Sequence, residues 1–278
     1  MKEAIRENKH VKNYHRRSLL SYPATSIQKF YTFVLSPLVI ILIMYFVFKF
    51  TPGLHLYGTK GFSFSDLIAA SLSTFGRLIT AYILAVIIAF PLALLAVYNR
   101  FFEAILLPVF DILESIPVLA LFPIVILLFV RFGMLNGAAI FILFLSMLWN
   151  LVFTLVGGLK IIPKDLTYAA KVFGITKFSY FKKVILPGVF PELVTGSILA
   201  FAQGWNLTIV AEALHTYIPG GLESDDLFGI GSFLVHASSS GNGIFFISSV
   251  LVMVVLIAIM NLLVWQRLLR LSERFRFE

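Results

Sequence analysis

The sequence predicts an all-α membrane protein with about six transmembrane helices and one long basic loop between two of them. Three observations carry this. Apolar types make up 59% of the 278 residues and charged types 13%, with a mean hydropathy of +0.95. Soluble domains hold about 45–50% apolar and about 25% charged residues, and the interior of a soluble fold this size cannot hide so much apolar surface. The apolar residues also fall in runs of about 20, the length that crosses about 30 Å of hydrocarbon as a helix, without the alternation of a barrel strand. Finally, Lys and Arg are concentrated in alternate connecting segments, as the positive-inside bias requires.

Taken in order, residues 1–29 are basic and polar and read as a cytoplasmic segment. Phe30 to Phe50 is the first apolar run. It is too long for a signal peptide and no A-x-A cleavage site accompanies it, so it is expected to stay as the first span. Thr51 to Asp66, with Pro52, Gly53, Gly58 and Gly61, suits an outer loop. The second span is expected over Ile79–Tyr98, the third within Leu106–Val130 and the fourth over Ala138–Leu159. The fifth is expected over Leu193–Leu214 and the sixth over Ile244–Trp265. Between those two, His215 to Asn242 is glycine-rich and carries Glu223, Asp225 and Asp226. It reads as an outer loop with a short amphipathic helix around Ile230 to Ala237. This divides the chain into 1–29, a first span and loop over 30–65, a transmembrane domain over 66–270 that includes loop 160–190, and a tail over 271–278.

Charge sets the orientation. With the N-terminus inside, segments 1–29, 99–103, 160–192 and 266–278 hold 7, 1, 6 and 4 Lys/Arg, 18 of the 22. Both termini are therefore expected on the cytoplasmic face of the cell membrane. The same map explains the net charge of +8 without nucleic acid. Zero cysteines exclude a disulfide scaffold, a thiol nucleophile and a Cys-ligated metal. The five histidines show no H-x-x-x-H or H-E-x-x-H spacing, and no G-x-x-x-x-G-K-[ST] occurs. No metal, cofactor or catalytic residue is expected in the chain.

The most informative stretch is the basic loop from Ile162 to Pro187. Pro163 suits a first helical turn and Asp165 the positive end of a helix. Leu166, Ala169, Ala170 and Phe173 follow i, i+3, i+4, i+7 spacing, an amphipathic face. Gly174 stands where a C-cap glycine would. A second run places Phe178, Phe181 and Ile185 on one side, and Pro187 is expected to end it. An amphipathic helix pair on the basic side lies on the membrane or docks into a partner.

This pattern, Asp165–Leu166, Ala169–Ala170, Gly174, Phe181 and Leu186–Pro187, resembles the E-A-A loop of binding-protein-dependent ABC importer permeases. Ala169 and Ala170 take the small positions of that motif and Gly174 its glycine, while Tyr168 stands where the leading glutamate would be. Further along the chain, Ile116-Pro117 to Pro123 with Phe132-Gly133, then Thr154 and Gly157, are similar to the nitrate/sulfonate/taurine branch. So are Gly196, Trp205, Ala211-Glu212 and Gly229-Ile230-Gly231, over about residues 65 to 270. Glu114 departs from a position usually basic there. The resemblance implies a type I importer permease fold. It also implies that Asp165, Ala169, Ala170, Gly174, Phe181, Leu186 and Pro187 couple to a cytoplasmic ATPase. The implied partners are ABC ATPase subunits that bind the ATP, an external substrate-binding protein, and a second permease copy or paralogue. The implied substrate is a small solute, such as the anions nitrate, sulfonate or taurine.

Several polar residues carry two readings. Charges at a helix centre in lipid cost about 2.5–3.5 kcal/mol, so each needs a reason. Asp111 and Glu114 share a helix face and read either as lying at the cytoplasmic interface or as an acid pair facing the pathway or the ATPase side. Arg77 reads first as snorkelling to the outer interface, and second as pairing with Glu212 across the bundle. Gly196, Ala200 and Gly204 recur every four residues, which lets another helix approach closely. Gln203, Asn206 and Glu212 either line a pathway or bond helices together. Trp149 and Trp205 read as packing. A secondary transporter would instead show ion-coupling acids deep in the spans and repeats with broken helices. An intramembrane enzyme would show a convergent His, Asp or Ser set. Neither pattern is visible.

Overall fold

The computed structural model describes residues 64–275 apart from 176, 219, 220, 223 and 224. They fall within one compact unit, Val47–Glu278. The expected segment 1–29, the first span Phe30–Phe50 and nearly all of the first outer loop lie outside the described residues.

Helix α1 runs Phe64–Tyr98, well beyond the expected start at Ile79. The helix also includes the polar stretch Ser71 to Arg77. Its hydroxyls donate one turn back, Ser71 Oγ to Leu67 O at 2.7 Å and Ser73 Oγ to Ala69 O at 3.2 Å, so the helix passes through it.

The expected third span is not one straight helix. Helix α2, Arg100–Ser115, and α3, Val118–Arg131, meet at an angle of 88°. Pro117 causes the break. A proline pushes the preceding residue out of the helical region and supplies no N–H itself, and Ile116 is extended at φ −74° and ψ 120°. Asn99 caps the start of α2 by accepting from Phe101 N–H at 3.0 Å. Asp111 and Glu114 are both exposed on α2.

After α3 the chain turns at Gly133, whose φ is +67°. Met134 N–H reaches Phe129 O and Gly133 N–H reaches Val130 O, each at 2.9 Å, the paired bonds of a glycine-capped helix end. Helix α4, Leu135–Ile161, follows. It is the most enclosed of the long helices, with most of its apolar length buried, and its main contacts are with α1 and the helix over Leu186–Glu212.

The basic loop holds α5, Lys164–Val172, and α6, Lys177–Tyr180. Pro187 does not end the second run, as the sequence suggested. A π-turn over Phe181–Ile185 leads directly into α7, Leu186–Glu212. Leu186 N–H bonds Phe181 O across that turn. The widened turn lets Pro187, with no N–H to offer, stand at the head of the next helix. The apolar helix is thus 35 residues, Phe178–Glu212, and not Leu193–Leu214.

A short turn over Leu214–Tyr217 follows. Helix α8, Ile230–Ser239, occupies the place expected for a short outer helix. Helix α9, Gly243–Met260, a π-turn over Asn261–Trp265, and α10, Gln266–Ser272, complete a stretch running to Phe275. Only 11% of its apolar window is buried. Ile244, Ile247, Leu251, Val254 and Ile259 are exposed along α9, which suits contact with lipid.

Four described helices are therefore long and apolar enough to cross a membrane, or five if the bent α2–α3 pair counts as one span. Small residues bring the central three together. Ala81, Ala85, Ala89 and Ala93 form a fully buried stripe on α1. On α7, a Cβ at Gly196 would stand 2.0 Å from Thr154 Oγ1 of α4, and one at Gly204 2.1 Å from Met147 Cε. Tyr82 and Ser197 tie α1 to α7 with a 2.6 Å hydrogen bond.

The two neighbouring glycines near the end of α4 give a direct test. A Cβ at Gly158 would lie 2.7 Å from Glu192 Cβ and Cγ, whereas one at Gly157 meets nothing within 4 Å. Gly158→Ala is expected to destabilise the purified protein by about 1–3 kcal/mol through overpacking. Gly157→Ala should be neutral or slightly stabilising, since alanine favours a helix by about 1 kcal/mol. Thermal unfolding in detergent distinguishes the two.

Candidate functional site

The basic loop is built as a short helical hairpin. Leu166 N–H bonds Pro163 O at 3.1 Å as α5 begins, with Asp165 exposed in its first turn. Gly174 sits at φ +65° with open space around it, so the backbone angle and not crowding calls for glycine. Ile175 N–H then returns to Ala170 O at 2.8 Å, closing the helix end as the C-cap reading expected.

The amphipathic face is only partly covered. Ala170 is buried, but Ala169 is exposed and Phe173 is 80% exposed. With Val172 at 84%, Phe178 at 74% and the exposed Tyr168, they make an apolar ridge that is largely open among the described residues. The second run is anchored: Ile185 is buried, and Phe181 meets Phe90 of α1 edge-on at 5.5 Å. Thr167 Oγ1 and Tyr180 Oη lie 2.9 Å apart and join the two arms of the hairpin. Leu186 and Pro187 are half-buried where α7 begins.

Of the three polar residues singled out on α7, Gln203 and Asn206 are exposed and linked at 3.4 Å. They share an open face with Thr195, Leu199 and Ala202, away from the Gly196–Ala200–Gly204 stripe. Glu212 differs. Its carboxylate is fully buried and surrounded by donors. Arg77 Nη1 lies 2.5 Å from Oε1, Thr74 Oγ1 donates at 2.8 Å, and Gly231 N–H reaches Oε2 at 2.8 Å. Arg77 spends its other donors on Asn136 Oδ1 at 2.6 Å and Phe228 O at 2.9 Å. Thr74 Oγ1 in turn accepts from Ile230 N–H at 2.9 Å.

Arg77 is therefore paired across the bundle and does not snorkel, contrary to the first reading. It lies 7% exposed on the buried face of α1, where a guanidinium needs an anion and further acceptors. Through Gly231 N–H the carboxylate also meets the first turn of α8, where a negative charge is stabilised. The Gly229-Ile230-Gly231 turn makes room for it. A Cβ at Gly229 would stand 2.2 Å from Glu212 Oε2, and one at Gly231 2.7 Å from Ile209 Cα and Thr208 O.

Sequence reading missed Thr74 and Asn136. The available signal was spacing, since Thr74 and Arg77 are three apart and share a face of α1. A second buried acid, Asp226, closes the outer loop by accepting from the backbone N–H of His215 at 2.9 Å and meeting its Nδ1 at 2.8 Å. Beside this knot, Leu67, Ala70, Ile230 and Phe233 form a buried apolar cluster. Among the described residues no buried side-chain nitrogen or oxygen lacks a partner, and no group of three or more His, Cys, Asp or Glu could hold a metal.

Residues 85–274 match the family described as "Binding-protein-dependent transport system inner membrane component". The chain is 31% identical over 196 residues to the nitrate import permease protein NrtB of Leptolyngbya laminosa, covering 70% of this chain and 63% of that protein. It is 31% identical over 150 residues to the bicarbonate transport system permease protein CmpB of Synechococcus elongatus, covering 54% and 53%. The taurine transport system permease protein TauC of Escherichia coli is 26% identical over 164 residues, covering 58% of each. The chain thus spans between half and two thirds of the length of these relatives.

The buried knot predicts strong non-additivity. Removing one partner leaves the other charge buried and alone, a loss of about 3–5 kcal/mol. Arg77→Met and Glu212→Leu should each destabilise by about that amount, and the double variant should cost clearly less than their sum. A double-mutant cycle on thermal unfolding of the purified protein measures the difference.

Proposed function

The chain belongs to the binding-protein-dependent transport system inner membrane component family, and from that premise we propose that it is the permease subunit of an ATP-driven importer. In this reading it is a multi-pass protein of the cell membrane with both termini in the cytoplasm. It works with separate ATPase subunits, an external substrate-binding protein, and a second permease that is a copy of itself or a paralogue. The chain forms the path and the partner binds and hydrolyses the ATP.

One observation carries the coupling role. The apolar ridge of Tyr168, Val172, Phe173 and Phe178 stands exposed on the basic loop, at the face where charge places the cytoplasm. Aromatic and aliphatic side chains this open to water are costly unless a partner covers them. A groove in the ATPase that takes an amphipathic helix supplies the cover. Asp165, Ala169, Ala170, Gly174, Phe181, Leu186 and Pro187 then shape and root that helix pair. ATP-driven closure of the ATPases moves it, and the spans shift between inward- and outward-open arrangements.

The path is proposed along the open face of α7 bearing Gln203 and Asn206. Exposed amides on a membrane helix require water or a polar partner. Glu212, enclosed by its own partners, serves this reading by holding the outer end of the path together. The substrate proposed is a small anion of the size of nitrate, sulfonate, taurine or bicarbonate, in line with the printed names of the relatives.

The test is recovery of the ATPase on mild-detergent purification. The wild-type chain should bring a P-loop ATPase with it. Phe173→Asp should insert normally but recover on the order of tenfold less, a loss of about 1.4 kcal/mol. Gly174→Val, forcing a β-branched residue to positive φ, should act similarly, and Gly174→Asn should be milder because asparagine tolerates that region. Transport in sealed vesicles by the chain alone, without ATP, would overturn the reading.

A further inference from the structure

The end of the bundle that bears the basic loop holds a cavity of about 290 Å³. Its lining includes Leu166 of α5, Lys183 and Val184 of the π-turn, Pro187 of α7, and Arg274 and Phe275 of a final turn over Glu273–Phe275. The walls are apolar, and the two cations come from segments far apart in the chain. Both cations are exposed. The ion pairs of the described residues lie elsewhere, at Arg77–Glu212, Lys160–Glu103 and His215–Asp226. Glu273, exposed beside Arg274, is in none of them.

The last stretch of the chain presents its cations outward because its other side is docked. Trp265 and Ser272 are buried. Trp265 meets Phe201 edge-on at 5.3 Å, and Phe275 meets Phe190 edge-on at 5.6 Å, which seats this side on α7. Arg267, Arg270 and Arg274 follow i, i+3, i+7 spacing and are exposed. With the exposed Lys182 and Lys183 they make this end strongly cationic, against Glu273 and the exposed Asp165 of α5. Depth is set by helix length. From Glu212 back to Lys183 the chain runs roughly 44 Å at 1.5 Å per residue, and a bilayer with its headgroup layers is about 40–45 Å thick. The cavity therefore stands in a headgroup layer.

We propose that this cavity binds the phosphate of an acidic phospholipid headgroup, held between Arg274 and Lys183. A guanidinium offers forked donors that match two phosphate oxygens, and an ammonium adds a compact charge. The volume lies at the small end of ligand pockets, which run about 300–1,000 Å³, so it takes a headgroup and leaves the acyl chains in the bilayer. Leu166, Val184 and Phe275 supply apolar walls for the carbons next to the phosphate, which a free phosphate ion has no use for. A zwitterionic headgroup would bring its own cation into a cationic cluster and is disfavoured. The bound lipid would join α5, the π-turn and the end of the chain, three segments that meet at this cavity. The inference goes beyond the importer reading and stands whether or not an ATPase accompanies the chain.

The experiment titrates the purified full chain in detergent with phosphatidylglycerol and follows bound lipid by native mass spectrometry. Phosphatidylcholine with the same acyl chains is the reference. The wild type is expected to retain phosphatidylglycerol in preference. Lys183→Gln with Arg274→Gln should weaken that binding roughly thirtyfold, about fivefold for each cation. Lys164→Gln with Arg267→Gln removes the same charge at the same end but outside the cavity lining, and should stay within about fivefold of wild type. Lys183→Arg with Arg274→Lys keeps both charges and should keep most of the binding. All these side chains are exposed, so thermal unfolding without added lipid should match wild type. An equal loss in the two glutamine doubles would mean diffuse attraction to the surface and would overturn the site. So would equal retention of phosphatidylcholine, or a loss in the charge-keeping variant as large as in the glutamine one. Displacement of the lipid by inorganic phosphate at matching concentration would overturn the headgroup as the source of the phosphate.

Discussion

A carboxylate and a guanidinium buried together at one end of the bundle constrain much of what surrounds them. Glu212 and Arg77 sit on different long helices. Each is affordable in an apolar surrounding only because the other neutralises it and because the remaining lone pairs and protons are also met. Those remaining needs reach outward. Thr74 must be one turn before Arg77, Asn136 must open α4, and the backbone of Phe228 and Gly231 must come within bonding distance. The outer loop is therefore shaped by the needs of one ion pair. Glycine at 229 and 231 follows from it, because a side chain at either place would occupy the space of the carboxylate or of α7.

The membrane-spanning packing follows a different physics. Apolar side chains gain little by leaving lipid for protein, so helices associate through close fit. Here the fit comes from alanines on α1 and glycines on α7, with α4 between them. The result is a rigid central layer of three helices. Helix α9 and the bent α2–α3 pair leave much of their apolar surface exposed.

How much of this was legible follows from the range of each interaction. The helical class, the placement of four long apolar helices and the glycine cap at Gly174 depend on local composition and spacing, and the sequence carries them. The Gly196–Ala200–Gly204 stripe was legible for the same reason. The Pro117 break was available in principle, since Ile116-Pro117 stands mid-run, but an apolar run reads as continuous whether or not it turns. Pro187 misled in the opposite sense, because a π-turn that absorbs a proline leaves no mark in composition. The choice for Arg77 between snorkelling and pairing could not be made, because its partners lie 59, 135 and 151 residues away. Residues 1–63, with the expected first span, stand outside the comparison.

The two ends of the bundle are built on opposite principles, and that contrast bears on mechanism. At the end bearing Glu212, polar groups are closed upon one another and buried. At the end bearing the basic loop, apolar groups are open, and among the described residues α5 is held by the buried Ala170 and a hydroxyl contact. A closed polar knot has one good geometry and resists small displacements, whereas an open apolar ridge accepts whatever surface is complementary to it. A device that must receive motion from a partner and act at a distance needs both, a compliant docking face and a rigid end. Helix α1 is the described element with residues in each, Phe90 at the hairpin and Arg77 and Thr74 at the knot. The ion pair itself resists opening, because separating it would expose a charge to a medium that cannot solvate it.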